Sequence, residues 1–393
     1  MKVAATRRSA RLGAPSSARA AKGDGTLFLE IGPLKEGNYT GIAQVTAAIA
    51  EEMLGDSERE VGFFFGRALV DRSIIEDLIA RRNGEMIPWY LQRAPIRPAP
   101  DRLDGRHVAI FPNRKTCRRG FDVECQIIHD LSTLLTPQFH NEDTINYHAL
   151  TMLEDVQTND ITFCVSEATR TDVLRYLGPL DPSRVVTTPL AASIPQSDIG
   201  RFKGHEVEPY VLVLGTIEPR KNVEQVLAYV RDNRELLQRQ RFVFLGRFGW
   251  GETVDSLVGR MDLVREYEIG RVVFPGFVSE SAKNALIENA QVLVYPSLFE
   301  GFGLPIVEAM ALGVPTVTTR SSSIPEVGGE LCYYFDPHKP RDFERSLARA
   351  LVDVRMGTAA AQAERRREWA QRYSWRHTYR RMTNAIDSFL AEG

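Results

Sequence analysis

The hydrophobic residues of the first half of the chain fall into short continuous runs, separated by segments in which apolar residues recur every three or four positions. Continuous runs of about four to eight apolar residues predict buried strands, and the three-to-four spacing predicts amphipathic helices. Strands that alternate with helices predict a parallel sheet covered on both faces. The predicted strands are TLFLEIG (26–32), VGFFFG (61–66), HVAIFP (107–112), CQIIHD (125–130) and ITFCVS (161–166).

The same alternation restarts after residue 210 and predicts a second parallel sheet. Its strands are YVLVLG (210–215), RFVFLG (241–246), VVFPGF (272–277), VLVYPS (292–297) and VPTVTT (314–319). The segment 189–210 contains proline and glycine without periodicity, which is typical of a linker.

A chain of 393 residues is too long for one ordinary core, so two domains with a cleft between them are expected. We predict an N-terminal domain at 25–200 and a C-terminal domain at 201–370. An amphipathic helix at 371–393 is predicted to pack back on the N-terminal domain. The Arg-rich segment before it, 359–373, predicts a helix with a solvated face rather than a polyanion site.

The composition is that of a soluble globular protein, with 43% hydrophobic and 25% charged residues and a net charge of -2. This balance does not indicate a nucleic-acid partner. No apolar run reaches the roughly eighteen residues that a membrane-spanning helix needs. Reduced thiols in a cytoplasmic protein are expected because no C-x-x-C pair occurs among Cys117, Cys125, Cys164 and Cys332.

Residues 1–24 are predicted to form a disordered basic arm. The first 23 residues carry six Lys or Arg and no Asp or Glu, and they lack the apolar centre of a secretory signal. Two interpretations stay open for this arm: an extension without function, or a segment that touches anionic lipid or acts like a transit peptide.

Ligands of open parallel sheets bind beyond the carboxyl ends of the strands, so motifs at strand ends carry the most weight. The first such motif is GTIEPRKN (215–222), which places Arg220 and Lys221 before a predicted helix that Asn222 can cap. Backbone N–H groups at a helix N-terminus favour an anion, and the two cations suit a diphosphate. An exposed turn whose basic residues only aid solubility is the alternative.

The second motif, FEGFGLPIVEAM (299–310), follows the predicted strand VLVYPS. Gly301 and Gly303 let a ligand approach the backbone, and Pro305 suits the first turn of a helix. This places Glu300 in the loop and Glu308 in the first helical turn, as two separate ligand contacts. Carboxylates accept hydrogen bonds from vicinal sugar hydroxyls, although Glu308 could instead only stabilise the helix dipole.

The third motif is CQIIHD, in which His129 follows a strand of the first half and points to the same cleft. A structural histidine at a strand end is the alternative. No Asp-x-Asp, H-E-x-x-H or clustered Cys/His set supports a bound metal. The phosphate-loop, dinucleotide and nucleophile-elbow motifs are also absent from the sequence.

Taken in order, GTIEPRKN, GFVSE, VYPSLFEGFGLPIVEAMALGVPTVTT and IPEVGG with YYFDP resemble the C-terminal domain of retaining glycosyltransferases of family four. The resemblance covers residues 210–337, includes an E-x(7)-E signature, and is looser in the first half (YTGIAQV, HDLS, CVSEATRTDV). It implies the GT-B fold, two Rossmann-like domains that face each other across a cleft. It also implies transfer of a sugar from a nucleotide-sugar with retention of configuration, without a required metal or other cofactor.

The resemblance also implies residue roles. Glu300 resembles the carboxylate on the donor sugar and Glu308 the one on the ribose, while Arg220 and Lys221 resemble the basic pair on the diphosphate. His129 resembles the histidine near the reacting carbon. The remaining donor-binding residues that it implies are Gly41, Thr216, Phe277, Val278, Gly301, Phe302, Gly303 and Leu304. Many relatives have an arginine where this chain has Thr216, which puts more weight on Arg220 and Lys221.

On this basis the expected activity is that of a bacterial polysaccharide or lipopolysaccharide hexosyltransferase resembling mannosyltransferases, with GDP-mannose favoured. The expected partners are the nucleotide-sugar donor and a growing surface glycan or lipid-linked acceptor. The expected location is the cytoplasm, with peripheral contact with the inner membrane left open. A nucleotide-sugar epimerase or hydrolase of the same fold, or a non-catalytic sugar-nucleotide-binding partner, stays as the alternative.

Overall fold

The computed structural model describes residues 25–36, 39, 41–66, 68–81, 97–98, 106–194, 200, 208–249 and 253–392. The predicted basic arm at 1–24 and the centre of the predicted linker lie outside the described residues. In the described part, strands of the two halves of the chain form two separate sheets.

The sheet of the N-terminal half contains β1 (Thr26–Glu30), β2 (Glu60–Phe65), β3 (Ala68–Val70), β4 (Arg97–Pro98), β5 (Val108–Phe111), β6 (Val123–Ile128), β7 (Ile161–Cys164) and β8 (Val185–Thr187). Its spatial order is β4-β3-β2-β1-β5-β6-β7-β8. All neighbours pair in parallel except at one edge, where β3 runs antiparallel to β2 and to β4. The predicted parallel sheet is therefore confirmed, and a short antiparallel edge is added to it.

Helices cover this sheet on both faces, as the alternation of strands and helices predicted. They are α1 (Ile42–Leu54), α2 (Arg72–Arg81), α3 (Ser132–Leu135), α4 (Glu142–Gln157) and α5 (Glu167–Tyr176). The predicted apolar face of α1 is buried at Val45, Ile49 and Met53. Helix α5 begins after Ser166, whose hydroxyl accepts the backbone N–H of Thr169 and so caps the helix.

The sheet of the C-terminal half contains β9 (Tyr210–Leu214), β10 (Arg241–Leu245), β11 (Val272–Gly276), β12 (Val292–Tyr295), β13 (Thr316–Thr319) and β14 (Cys332–Phe335). All pairs are parallel, in the order β11-β10-β9-β12-β13-β14. The central strand β9 is buried along its whole length, as its continuous apolar run predicted. Parallel central strands place the ends of β9, β10 and β12 at one edge of the sheet.

The helices of the C-terminal half are α6 (Val223–Asp232), α7 (Val254–Arg260), α8 (Val264–Glu268), α9 (Glu280–Glu288), α10 (Leu304–Ala311), α11 (Ile324–Gly328), α12 (Pro340–Arg355), α13 (Thr358–Ala361), α14 (Ala363–Ala370) and α15 (Trp375–Glu392). Asn222 stands before α6 with a φ of 54°, but its side chain does not cap that helix. Its amide instead donates to Gln225 Oε1 at 2.6 Å. The predicted capping role is therefore wrong.

The last helix, α15, lies against the N-terminal domain, where it packs on α1. Trp375 donates from Nε1 to Ser193 at 2.8 Å, and the Tyr379 hydroxyl donates to Asp56 at 2.8 Å. Met382 and Ile386 are buried in the same apolar cluster as the core of the N-terminal sheet. The chain thus returns to its first domain after completing the second.

The Arg-rich segment forms two helices with a solvated face at Glu364, Arg365 and Glu368, as predicted, but it buries Arg366 completely. The Arg366 guanidinium donates to the carbonyl oxygens of Ala359 (2.8 Å) and Gly313 (3.3 Å), so it ties α14 to the end of α10. Burial lowers the pKa of Arg366. The four cysteines are not joined by disulfide bonds, and Cys125 and Cys164 are buried. Within the described ranges, no helix has both the length and the apolar character needed to cross a bilayer.

Candidate active site

A cavity of about 580 Å³ lies between the two sheets, at the carboxyl ends of their strands. This is the size range of small-molecule sites and the place where ligands of open α/β sheets bind. All the site residues predicted from the sequence line this cavity: His129, Arg220, Lys221, Glu300, Gly41, Thr216, Phe277, Val278, Gly301, Phe302, Gly303, Leu304 and Glu308. The structure therefore brings them together, although their individual roles stay predictions.

Glu300 is the centre of a buried polar cluster. Its Oε1 accepts hydrogen bonds from Lys221 Nζ and Ser297 Oγ, both at 2.5 Å, and its Oε2 lies 3.5 Å from Arg220 Nη1. The Tyr295 hydroxyl is 3.1 Å from Lys221 Nζ. A carboxylate held by two cations and a hydroxyl is fixed in position before any ligand arrives.

The charges in this cluster act on one another with unequal results, since burial lowers the pKa of Lys221 in spite of Glu300, whereas the charged forms of Glu300 and Arg220 are favoured. Burial alone would raise the pKa of Glu300, but Lys221 and Arg220 together lower it, so the carboxylate is ionised at neutral pH. Burial would likewise lower the pKa of Arg220, and the surrounding carboxylates raise it instead, Glu300 first. The guanidinium also approaches Glu218 (3.2 Å) and Asp130 (3.7 Å), so it links the two domains across the cavity floor.

Glu308 holds a second ion pair, and the structure corrects its predicted place in the helix. Helix α10 begins at Leu304, so Glu308 is its fifth residue and lies in the second turn rather than the first. Its Oε1 lies 2.9 Å from Lys283 Nζ, which also approaches Glu280 at 3.0 Å. Burial would lower the pKa of Lys283, but Glu308 and Glu280 raise it, so this ammonium is charged.

The two glycines of the Glu300 loop have different roles. Gly303 has a φ of 106° directly before α10, a conformation that L side chains rarely adopt. Gly301 is required for another reason, since a Cβ atom there would lie 1.7 Å from the carbonyl oxygen of His129. The backbone of the N-terminal domain thus makes the close approach at Gly301, and the predicted ligand contact there stays a prediction.

His129 follows β6 and faces this loop. Its Nε2 lies 2.8 Å from the carbonyl oxygen of Pro112, which can only accept, so Nε2 carries the hydrogen. Burial lowers the pKa of His129, which keeps the ring neutral. The remaining nitrogen, Nδ1, thus carries a lone pair. Asp130 beside it has its pKa lowered by Arg220 and Ser132 in spite of burial.

The wall formed by Phe277 and Val278 contains a cation that the sequence did not indicate. The Arg247 guanidinium lies 4.7 Å from the centre of the Phe277 ring, and Phe277 itself is 46% exposed. Arg247 lines the cavity and, within the described ranges, forms no ion pair with a carboxylate. It is thus an exposed cation at the cavity wall, unlike Arg220, Lys221 and Lys283.

Phe302 is 3% exposed, and its ring packs edge-on against Tyr373 at 5.4 Å. Packing against other side chains therefore buries most of Phe302. Sequence reasoning missed several cavity residues whose partners are distant in the chain. They are Asp130, His140, His148, Arg247 and Lys283. Of these, only Asp130 was inside a quoted motif. In the described part of the chain, no group of three or more His, Cys, Asp or Glu side chains is arranged to hold a metal ion.

Comparison with known proteins identifies the family. The model of the family described as "Glycosyl transferases group 1" matches residues 197–370. The chain is 32% identical over 271 residues to the O-antigen chain mannosyltransferase B of Escherichia coli, covering 65% of this chain and 68% of that protein. It is 30% identical over 240 residues to the serotype-specific mannosyltransferase WbdA of Escherichia coli, but spans only 29% of that protein.

Solved structures share the fold at low sequence identity. Sucrose-phosphate synthase from Thermosynechococcus elongatus superposes with a TM-score of 0.65 at 15% identity, covering 94% of this chain and 100% of that chain. Anabaena HepE in complex with UDP-glucose superposes with a TM-score of 0.63 at 16% identity, covering 93% and 100%. The predicted GT-B fold, with two parallel-sheet domains around a cleft, is confirmed. The chain therefore belongs to the group 1 glycosyl transferases.

Proposed function

We propose that this enzyme is a retaining mannosyltransferase that moves mannose from GDP-mannose to a growing surface glycan or a lipid-linked acceptor. The observation that carries the proposal is the preformed Glu300–Lys221–Arg220 cluster at the edge of a cleft that opens between two parallel sheets. Two similar proteins, mannosyltransferase B and WbdA, bear the name of mannosyltransferases, which supports mannose as the transferred sugar.

Leaving-group stabilisation is the main catalytic effect in this proposal. As the bond between the sugar C1 and the diphosphate oxygen breaks, negative charge develops on the diphosphate. Arg220 and Lys221 are fixed cations beside it, and the N-terminus of the eight-residue helix α10 borders the same cavity at Gly303, Leu304 and Pro305. Preorganised charges of this kind stabilise a developing anion without moving, and we propose that they replace a metal ion.

The acceptor hydroxyl then forms the new bond to C1, and its proton passes to the departing diphosphate oxygen on the same face of the sugar. Same-face attack retains the configuration and needs no protein nucleophile. This agrees with a Glu300 whose two oxygens are already engaged by Lys221, Ser297 and Arg220. Neutral His129 offers its Nδ1 lone pair to a sugar hydroxyl near C1.

Arg247 supports guanine as the base of the donor. It lies against Phe277 in the wall that the family resemblance gives to the base, and no carboxylate in the described ranges neutralises it. An arginine can donate two hydrogen bonds to the O6 and N7 acceptors of guanine. A good pair of this kind favours guanine over another base by about 1–3 kcal/mol. Uracil and adenine do not present that pair of acceptors.

The first experiment is a thermal-shift screen of the full chain with GDP-, UDP-, ADP- and TDP-sugars. A ligand at about 100 times its Kd stabilises the native state by about 2.7 kcal/mol, so the cognate donor should give the largest rise in Tm. We expect GDP-mannose to lead. In Arg247→Ala, GDP-mannose should no longer raise Tm more than UDP-sugars do. Arg265→Ala, which replaces an exposed arginine on α8, should keep this difference in Tm.

The second experiment follows the products. A transferase releases nucleotide diphosphate mainly when a glycan acceptor is present, and NMR of the new linkage shows whether the anomeric configuration is retained. Release of nucleotide without acceptor would indicate the hydrolase alternative, and a changed sugar still attached to nucleotide the epimerase. Donor binding without turnover over a broad acceptor panel would indicate the non-catalytic alternative.

A further inference from the structure

The two halves of the site meet at a seam between the domains, which consists of the end of β6, helix α5, the Glu300 loop and helix α11. Thr169 in α5 is buried, and its Oγ1 lies 3.3 Å from the carbonyl oxygen of His129 and 3.2 Å from that of Gly301. One hydroxyl from the N-terminal domain thus spans both catalytic segments. Gly301 allows this approach because any side chain there would meet the His129 carbonyl.

Glu326 crosses the seam in the opposite direction. This residue of α11 belongs to the C-terminal domain, yet its carboxylate accepts the first N–H groups of α5. Its two oxygens lie 3.0 Å from the Glu167 nitrogen, and Oε2 lies 3.3 Å from the Ala168 nitrogen. A carboxylate stabilises a helix N-terminus through these N–H groups and through the helix dipole. Ser166 already caps α5 within its own domain, so Glu326 adds an interdomain cap.

Helix α11 also holds the Glu300 loop. The hydroxyl of Ser323, directly before the helix, donates to the carbonyl oxygens of Glu300 (2.8 Å) and Phe302 (3.0 Å). Hydrogen bonds therefore connect Glu300 through Ser323 and α11 to Glu326, and then through α5 to Thr169. From Thr169 one contact leads to His129 and another returns to Gly301, next to Glu300. The path fixes the two catalytic segments relative to each other without entering the cavity.

We infer that Thr169 and Glu326 are positioning residues, which set the separation between His129 on one domain and Glu300 on the other in the reacting arrangement. This inference rests on the proposed transferase function. Neither side chain lines the cavity, so neither is expected to contact the donor. Misplacement of reacting groups by about 1 Å can cost about 100-fold in rate, so the loss should appear in kcat rather than in donor affinity.

The test compares Thr169→Val and Glu326→Gln with wild type. Valine keeps the volume of threonine and removes the hydroxyl, and glutamine keeps the shape of Glu326 and removes its charge. We expect kcat to fall by about 10- to 100-fold in Thr169→Val and by about tenfold in Glu326→Gln, with the donor Kd changed by less than about threefold. Thr169→Ser, which restores the hydroxyl, should recover kcat to within about threefold of wild type.

Matched controls lie within a single domain. Thr46→Val removes a buried hydroxyl that bonds inside α1, and Asp181→Asn changes a carboxylate that caps a short helix of its own domain. Both should keep the wild-type kcat. Hydrogen exchange supplies a readout besides activity, since the amides of residues 167 and 168 should exchange faster in Glu326→Gln than in wild type and than in Asp181→Asn.

Wild-type kcat together with unchanged exchange in both seam variants would overturn the inference. An equal loss of donor affinity and kcat would also overturn it, because that pattern indicates general loosening of the site. The assay uses whichever nucleotide-sugar the wild-type protein turns over. A donor other than GDP-mannose would therefore refute the mannose proposal and leave the test of the seam intact.

Discussion

Replacing Lys221 by methionine tests whether the Glu300 cluster is held together by charge. The lysine and glutamate side chains are 14% and 9% exposed, so their ion pair lies in a poorly solvated site. Removing one partner of a buried pair costs about 3–5 kcal/mol, because the other charge is left without compensation. Glu300 keeps Arg220 at 3.5 Å and the Ser297 hydroxyl, so we expect the lower end, about 3 kcal/mol.

A double-mutant cycle measures this coupling. One kcal/mol shifts the Tm of a domain of about 150–250 residues by about 2–4 °C, so Lys221→Met should lower Tm by about 6–12 °C. Glu300→Gln in the same chain removes the stranded carboxylate and should restore part of that loss, giving a coupling energy of about 1.5–3 kcal/mol. Lys339→Met, the same change at an exposed ion pair with Asp336, should leave Tm close to wild type.

The pH dependence of Tm provides an independent test of the same ion pair. The pKa of Glu300 is lowered in the folded protein, so the cluster contributes stability above the ordinary glutamate pKa of 4.5 and loses it as pH falls through the folded value. The Tm difference between wild type and Lys221→Met should thus be largest near neutral pH and narrow towards pH 4. Additive single mutants, within about 0.5 kcal/mol, or a difference independent of pH, would refute the reasoning.

Three further predictions concern the site. Gly301→Ala should abolish most turnover while circular dichroism stays native, because the added Cβ would lie 1.7 Å from the His129 carbonyl oxygen; unchanged kcat would contradict this. Lys283→Met should release Glu308 from its fixed position. The factor by which the donor Kd rises, measured by calorimetry, should be about ten times the factor by which kcat falls, and an unchanged Kd would count against a ribose contact at Glu308. EDTA treatment should leave transfer from the cognate donor unaltered, and loss of activity that Mg²⁺ restores would show that the fixed cations do not suffice.

Much of the fold was predictable because its central strands are buried on both faces. Continuous runs such as 210–214 and 161–164 have no amphipathic alternative, and each forms a strand that is paired on both sides. The strands that the pattern missed are short or lie at a sheet edge: β3, β4, β8 and β14. Edge strands bury one face less completely, so their sequences carry a weaker hydrophobic pattern.

The site was predictable where a motif follows a strand, because parallel strands bring their carboxyl ends to one edge. Partners that come from other elements were not predictable. Nothing in the sequence connects Lys283 with Glu308, or Arg247 with Phe277, since each pair forms only when separate helices and strands have packed. Gly301 shows a different limit: the sequence indicates a close approach at this position, but not whether a ligand or another backbone makes it.

The return of α15 to the first domain has a consequence for biosynthesis. Met382 and Ile386 belong to the apolar cluster of the N-terminal sheet, so that domain is discontinuous and the second domain is topologically an insertion within it. During translation, the second domain is synthesised before α15, so the N-terminal domain lacks this part of its core until the second domain has been made. The core of the first domain, and with it one wall of the cleft, therefore depends on a helix that is synthesised after the second domain.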